Sequence, residues 1–245
     1  MSKKQKTAIF DIDGTLFRSS LLIEMVEGLI KKGIFPPETK ERYEREKISW
    51  LERKGPYEDY IDAVIVAFTE NIKGVPYSDF IQIGEETVKK MQWQTYTYTR
   101  SLIKNLKNKG YYLLAISQSP KGILDKFCCN FEFDKVYGRI YDLGPGDRFT
   151  GDVKELHLIA NKANIVRRAV ERENLTLEES VGVGDTECDI SFLEMVTYPV
   201  CFNPNRGLHR HAMMNKWNVI VERKDVIYSI NISEPYPDVL DHSGS

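Results

Sequence analysis

Hydrophobic and polar positions divide the chain into a short apolar run, a long helical stretch and an alternating remainder. Thr7-Ala8-Ile9-Phe10 is apolar and partly β-branched, which predicts a fully buried parallel strand ending abruptly at Asp11. Only helical periodicity follows, to about residue 95. Leu22, Met25, Val26, Leu29 and Ile30 form a stripe that Ser19 or Ser20 can cap and Gly33 ends. Pro36-Pro37 precedes a charged helix, Glu38 to Lys54, whose interleaved acids and bases read as a solvated face. After Gly55-Pro56, the residues Ile61, Val64, Ile65, Phe68 and Ile72 form another stripe, and Gly74-Val75-Pro76 leads to a helix over Ser78 to Met91.

From Thr99 onward, helix and strand alternate. A helix runs to Lys109 and stops at Gly110, and Tyr111 to Ile116 reads as a strand. Ser119 then suits a helix N-cap, with Pro120 at the first helical position. Two strand-like runs between Val136 and Val153 flank Gly144-Pro145-Gly146-Asp147, which reads as a hairpin turn because no helix follows it. A helix over Asn161 to Asn174, a strand Ser180 to Val183, a helix from about Asp189 and a strand Tyr198 to Phe202 complete the pattern. The expected fold class is α/β: a doubly wound parallel sheet with an inserted helical cap. Residues 1–16 and 96–233 are the expected core and 17–95 the cap, since a loop tip accepts an insertion easily. The stretch 234–245 has prolines and no periodicity, so it is expected to be loosely ordered.

Composition narrows the partners. The 245 residues carry a formal charge of −2, which offers no basis for binding nucleic acid or an acidic membrane. No apolar run approaches the roughly 20 residues needed to span a bilayer. The basic start Met1-Ser2-Lys3-Lys4-Gln5-Lys6 leads straight into the first strand without a signal-peptide pattern. Cys128, Cys129, Cys188 and Cys201 lack zinc or redox spacing, so reduced thiols in the cytoplasm are expected. The sequence gives no reading of oligomeric state.

The candidate chemistry lies where the strands end. Asp11 and Asp13 would stand at the carboxyl end of the first strand, on one side, where open α/β sheets bind ligands. One aspartate can act as a nucleophile, and a second can protonate a leaving oxygen and then deprotonate water. A plain Asp-Gly turn is the alternative for this segment. Ser117 ends the next core strand and could offer a hydroxyl to a phosphate oxygen, or simply serve a turn. Lys162 lies near the start of a long helix, where charge and helix dipole both favour an anion. Gly184-Asp185-Thr186-Glu187-Cys188-Asp189 sets two carboxylates four residues apart, suited to ligation or to turn and cap roles. Gathered together, Asp11, Asp13, Asp185 and Asp189 would repel by about 4 kcal/mol per pair at 4 Å and an effective dielectric of 20. Such a cluster calls for a hard cation, chiefly Mg²⁺.

The order Asp-x-Asp-Gly-Thr, Ser, Lys, Gly-Asp-x-x-x-Asp resembles the four motifs of the haloacid dehalogenase (HAD) superfamily. The insertion after the first motif, Ile116-Ser117-Gln118-Ser119-Pro120, Arg148-Phe149-Thr150-Gly151, Asn161-Lys162-Ala163, Asn203-Pro204-Asn205 and Trp217 are similar to its phosphoserine-phosphatase-like (HAD-IB) branch. The resemblance implies a Mg²⁺-dependent phosphatase of a small phosphorylated metabolite, working through an aspartyl-phosphate. It implies Asp11 as nucleophile, Asp13 as acid and base, and Ser117, Gln118 and Lys162 around the phosphate. The metal would take the Asp11 side chain, the Asp13 carbonyl and Asp185, with Asp189 in support. An acidic residue at position 13 separates the chain from the superfamily's dehalogenases and phosphonatases. Two departures bear on substrate: Ser20 stands where phosphoserine phosphatases carry a glutamate, with Glu24 one turn on, and Cys188 replaces an asparagine. Both put phosphoserine in question. A phosphotransferase using the same intermediate, or a non-catalytic phosphate-binding protein, are the alternative functions.

Overall fold

The computed structural model describes residues 4–155 and 161–230. Strand β1 (Gln5–Phe10) lies inside an eight-stranded sheet of order β4-β3-β2-β1-β5-β6-β7-β8. The other strands are β2 (Tyr112–Pro120), β3 (Lys135–Gly144), β4 (Arg148–Lys154), β5 (Leu175–Gly184), β6 (Tyr198–Phe202), β7 (Asn218–Arg223) and β8 (Val226–Ile230). β3, β2, β1, β5, β6 and β7 run parallel, and β4 and β8 add antiparallel edges. The sheet is therefore the doubly wound α/β architecture that the alternating pattern predicts.

Successive β1 side chains enter different packing layers, because residues along a strand alternate in direction. Ala8 and Phe10 join the larger buried cluster, and Ile9 joins a second one with Leu114, Ile116, Ile165 and Phe192. A strand covered on both faces leaves no room for polar residues until its end, which is why Asp11 marks the boundary of the core. From β1 the chain returns to the sheet at β2 on one side and reaches β5 on the other. That reversal of strand order opens a crevice at the carboxyl ends of β1, β2 and β5.

Between β1 and β2 the chain is helical: α1 (Leu21–Lys31), a 3₁₀ segment (Pro37–Arg42), α2 (Glu44–Leu51), α3 (Tyr57–Ile72), α4 (Tyr77–Met91) and α5 (Thr97–Asn108). Later come α6 (Lys121–Cys128), α7 (Lys162–Arg172), α8 (Ile190–Leu193) and α9 (Arg206–Asn215). The helices before α5 rest on the hairpin β3–β4: the Gly74 and Tyr77 amides donate to the Phe149 and Asp147 carbonyls, both at 2.8 Å. Phe68 meets Tyr141 there with ring centroids 5.0 Å apart. The Gly144–Asp147 turn is thus a hairpin, as expected, and also a docking point.

Several expectations are corrected. The charged helix expected over 38–54 is broken at Tyr43, whose buried ring packs on Tyr60 and whose hydroxyl donates to Glu27 at 3.0 Å. Ser119 is not an N-cap: β2 continues through Pro120, and its hydroxyl is drawn to Asp13 instead. Strands β7 and β8 and helix α9 had no clear sequence pattern, and every β8 residue is exposed. The expectation for 234–245 falls outside the described residues. Among the described residues no helix is long and apolar enough to cross a membrane.

The Glu222 carboxylate at the end of β7 accepts the first amides of α5, from Thr97 at 3.0 Å and Tyr98 at 2.9 Å. It satisfies orphan donors at the positive end of that helix dipole. Replacing Glu222 with alanine is expected to cost about 1 kcal/mol in urea unfolding, with the sheet intact by circular dichroism.

Candidate active site

The carboxyl end of β1 is fixed on both sides. Phe10 is level with Ala115 of β2 and Val183 of β5, and the Asp11 amide donates to the Val183 carbonyl at 2.9 Å. That register sets Asp11, Ser117 and Asp185 at adjoining strand ends. Gly14, at φ 81°, turns the chain away, and a Cβ there would lie 2.0 Å from an Asp185 carboxylate oxygen. Only glycine combines that backbone with that approach. Gly184 is constrained from the other side, since its Cβ would lie 2.6 Å from the Asp189 side chain.

Lys162 enters from behind. Asn161 caps α7 by accepting the Ala163 amide at 2.9 Å, which sets Lys162 at the first helical position. Its ammonium, only 4% exposed, reaches Asp11 Oδ1 and Asp189 Oδ1, each at 2.5 Å. Asp189 Oδ2 accepts the Asp185 amide at 2.9 Å and the Thr186 amide at 3.0 Å. Both Asp189 oxygens are therefore engaged. Asp11 differs: its second oxygen, Oδ2, is buried and has no hydrogen-bond partner among the described residues. Carboxylate oxygens of Asp11, Asp185 and Asp189 lie within 4.8 Å of one another.

Asp13 faces a ring of donors. Its Oδ1 accepts the Leu21 amide at 2.5 Å, and Oδ2 accepts the hydroxyls of Ser117 and Ser119, the latter at 2.8 Å. The side chain of Gln118 points to the opposite side of β2, where it accepts a hydrogen bond from Arg139 at 2.8 Å. The structure thus gathers Asp11, Asp13, Ser117, Lys162, Asp185 and Asp189 and turns the Gln118 side chain elsewhere.

Burial dominates the electrostatics. It pushes the Asp11 carboxyl up to about 7, with Lys162 opposing and Asp189 and Asp13 adding to the rise. Asp185 is raised well above the carboxylate range by burial and then by Asp11 and Asp189. Asp13 is also raised, because burial outweighs the donors from Ser117, Leu21 and Ser119. Burial works against charge on Lys162, but Asp11 and Asp189 outweigh it and keep the ammonium protonated. One ammonium cannot balance four carboxylates in a low-dielectric crevice. The hard oxygen donors and the unpartnered Asp11 Oδ2 suit a small divalent cation.

Ser119 was hidden in the sequence because a serine before proline reads as a helix cap. Its two-residue spacing from Ser117 is the usable signal, once β2 is extended to Pro120. Tyr57 and Asn205 also stand at the site. Tyr57 interacts with Asp13 and Asp185, and the Asn205 amide donates to the Asp185 carbonyl at 2.8 Å. Tyr57 carries no local motif; Asn205 belongs to the Asn203-Pro204-Asn205 segment of the resemblance, which gave it no role at the site.

A doubly wound sheet with these carboxylates at its switch point defines a hydrolase of the haloacid dehalogenase type. The chain belongs to that family: the haloacid dehalogenase-like hydrolase model matches residues 8–194. It is 26% identical over 241 residues to a phosphoserine phosphatase of Methanocaldococcus jannaschii, spanning 92% of this chain and 96% of that protein. A histidinol-phosphatase of Neisseria meningitidis is 23% identical over 224 residues, 87% of this chain and 97% of that one. The solved structure of a phospho-aspartyl intermediate analogue of phosphoserine phosphatase shares the fold, with a TM-score of 0.60 and 24% identity, covering 91% and 96% of the two chains.

The raised carboxyls set a pH dependence. Folded Asp11 holds its proton more tightly than the unfolded chain does, so this contribution to stability is full below about pH 4 and is lost as pH rises through about 7. Lys162→Met leaves Asp11 and Asp189 buried and uncompensated. Without divalent metal it is expected to lose about 3–5 kcal/mol near neutral pH. The deficit should shrink towards about pH 5, where Asp11 takes up a proton. Urea unfolding in EDTA at both pH values checks this.

Proposed function

We propose that the protein is a Mg²⁺-dependent phosphomonoesterase that acts on a small phosphorylated metabolite through an aspartyl-phosphate on Asp11. The observation that carries this reading is the buried Lys162 bridging Asp11 and Asp189 while Asp11 Oδ2 has no partner among the described residues. A lysine alone could stabilise a buried carboxylate pair. It does not account for an acidic cluster with an unpaired oxygen facing a crevice.

Asp11, Asp185 and the Asp13 main-chain carbonyl would hold the cation, which lowers the negative charge of the site and lets a phosphate dianion enter. Asp189, with both oxygens engaged, orients Lys162 and the Asp185 loop from behind. Lys162 and the Ser117 hydroxyl hold the phosphoryl oxygens. Gln118 contributes its main-chain amide, its side chain being held by Arg139. An Asp11 carboxylate oxygen forms a bond to phosphorus as the ester oxygen departs with the proton of the Asp13 carboxyl. The raised proton affinity of Asp13 suits that role. Water then attacks phosphorus, returns a proton to Asp13 and breaks the Asp11–phosphorus link, releasing inorganic phosphate.

Residues 17–95 form the cap in this reading, and residues 1–16 with 96–233 the core. The similarity to a phosphoserine phosphatase and a histidinol-phosphatase supports a small phosphomonoester as substrate. Four free cysteines, two of them buried, fit a reducing cytoplasm.

Asp11→Asn is expected to lower kcat by about a thousandfold or more while inorganic phosphate still binds in calorimetry. Release of phosphate at the wild-type rate would exclude Asp11 as the nucleophile. Added Mg²⁺ should raise the melting temperature more at about pH 7.5 than at about pH 5, because the cation competes with protons for Asp11 and Asp185. A thermal-unfolding series with Mg²⁺ or EDTA reads this directly.

A further inference from the structure

The first turn of α3 is tied to the Asp185 strand end through Asn205. Glu58 accepts a hydrogen bond from the Asn205 side chain, and the Asn205 amide donates to the Asp185 carbonyl at 2.8 Å. Tyr57 lies beside Ser20. Ser20 precedes Leu21, whose amide donates to Asp13 at 2.5 Å. Tyr57 is close enough to Asp13 and Asp185 to feel the charge of both. Ser20 is buried at the N-cap position of α1 yet makes no side-chain cap bond. An N-cap serine ordinarily satisfies its own helix; this one does not, and it lies beside Tyr57.

Behind Tyr57 stands an aromatic wall. Trp50 meets the Tyr57 ring edge-on at 5.3 Å and lies stacked on Tyr60 at 5.8 Å. Tyr57 and Trp50 are both only half-buried, so the wall retains surface towards solvent. Burial, then Asp13 and Asp185, hold the Tyr57 hydroxyl protonated far above the physiological range. The carboxylates nearby are already engaged: Glu24 accepts from Ser19 at 2.8 Å, and Glu58 from Asn205. Asp62, one turn further along α3, is exposed, and a water-facing carboxylate holds an ammonium weakly.

Resting on the phosphatase reading above, we propose that Tyr57 determines specificity. Its ring, backed by Trp50, receives the leaving group of phosphate esters of uncharged alcohols with an apolar or planar body. Esters of a short aminoalkyl alcohol are disfavoured, because such a chain covers little of the ring surface and its ammonium finds, among the described residues, only carboxylates already hydrogen-bonded (Glu24, Glu58) or facing water (Asp62). Planar leaving groups gain from edge-to-face and stacked contacts with such rings.

Binding of benzylphosphonate and 2-aminoethylphosphonate to the Mg²⁺-loaded full chain tests this by calorimetry, independently of turnover. The wild type should bind benzylphosphonate about tenfold more tightly, Tyr57→Phe should stay within about threefold of that, and Tyr57→Ala should abolish the preference. If Tyr57→Ala fails to fold by circular dichroism, Trp50→Ala supplies the same readout from the other half of the wall. In turnover of benzyl phosphate, the loss should appear in KM with kcat changed less than about threefold. Equal or reversed affinities in the wild type, or an unchanged preference in a folded Tyr57→Ala or Trp50→Ala variant, would overturn the proposal. Absence of phosphate release from both benzyl phosphate and phosphoethanolamine would count against the phosphatase reading instead, and the phosphonate affinities would still decide the wall.

Discussion

The site depends on a buried lysine sharing its charge between two carboxylates. Lys162 touches Asp11 and Asp189 where almost no water reaches any of the three. Such an arrangement is a poor way to stabilise a fold, since removing ions from water costs several kcal/mol each and packed apolar residues do as well. Its consequence is positional. Asp11 Oδ1 is anchored, and the other oxygen is buried without a partner among the described residues. Asp189 is anchored likewise, and its second oxygen fixes the two amides that open the Asp185 loop. One ammonium thus orients both acidic strand ends.

The sheet supplies the precision this needs. β1 is buried on both faces and hydrogen-bonded on both edges, so Asp11 has no freedom along or across the strand. Gly14 and Gly184 then remove the two side chains that would push Asp185 and Asp189 away. The carboxyls are consequently held close enough to raise each other's proton affinity. In catalytic terms the repulsion is useful. A site that already holds excess negative charge gains most when a cation arrives, and donors fixed in advance need not reorganise as phosphorus changes partners.

How much of this was legible in the residues follows from the range over which each feature is determined. The strand ends at Asp11 and Asp185 are local events, an apolar run meeting an acid, and the alternation of strand and helix fixed the fold class. Lys162 was visible because Asn161 announces a helix start just before it. Ser119 departs from its capping pattern because capping chemistry and strand continuation use the same residue type, and the competing partner, Asp13, lies 106 residues away. Tyr43 broke an expected helix for a similar reason: burying its ring against Tyr60 outweighs two more turns of solvated helix. β8 escaped notice because its residues are exposed and its pairing partner alone defines it.

The helical insertion is where local pattern and function part company. Its stripes of Leu, Ile and Phe predict helices and say nothing of what the first turn of α3 faces. Tyr57 and Glu58 precede the buried stripe of α3, at a helix start that has no side-chain cap of its own. The Glu58 carboxylate reaches outward to Asn205, which ties the insertion to the Asp185 side of the acidic crevice, while Tyr57 lies beside Ser20 on the Asp13 side. In the proposed function, recognition of the alcohol and placement of the phosphate therefore share supports. A change in how α3 begins would reach the leaving group through the Tyr57 ring and the Asp185 loop through Asn205.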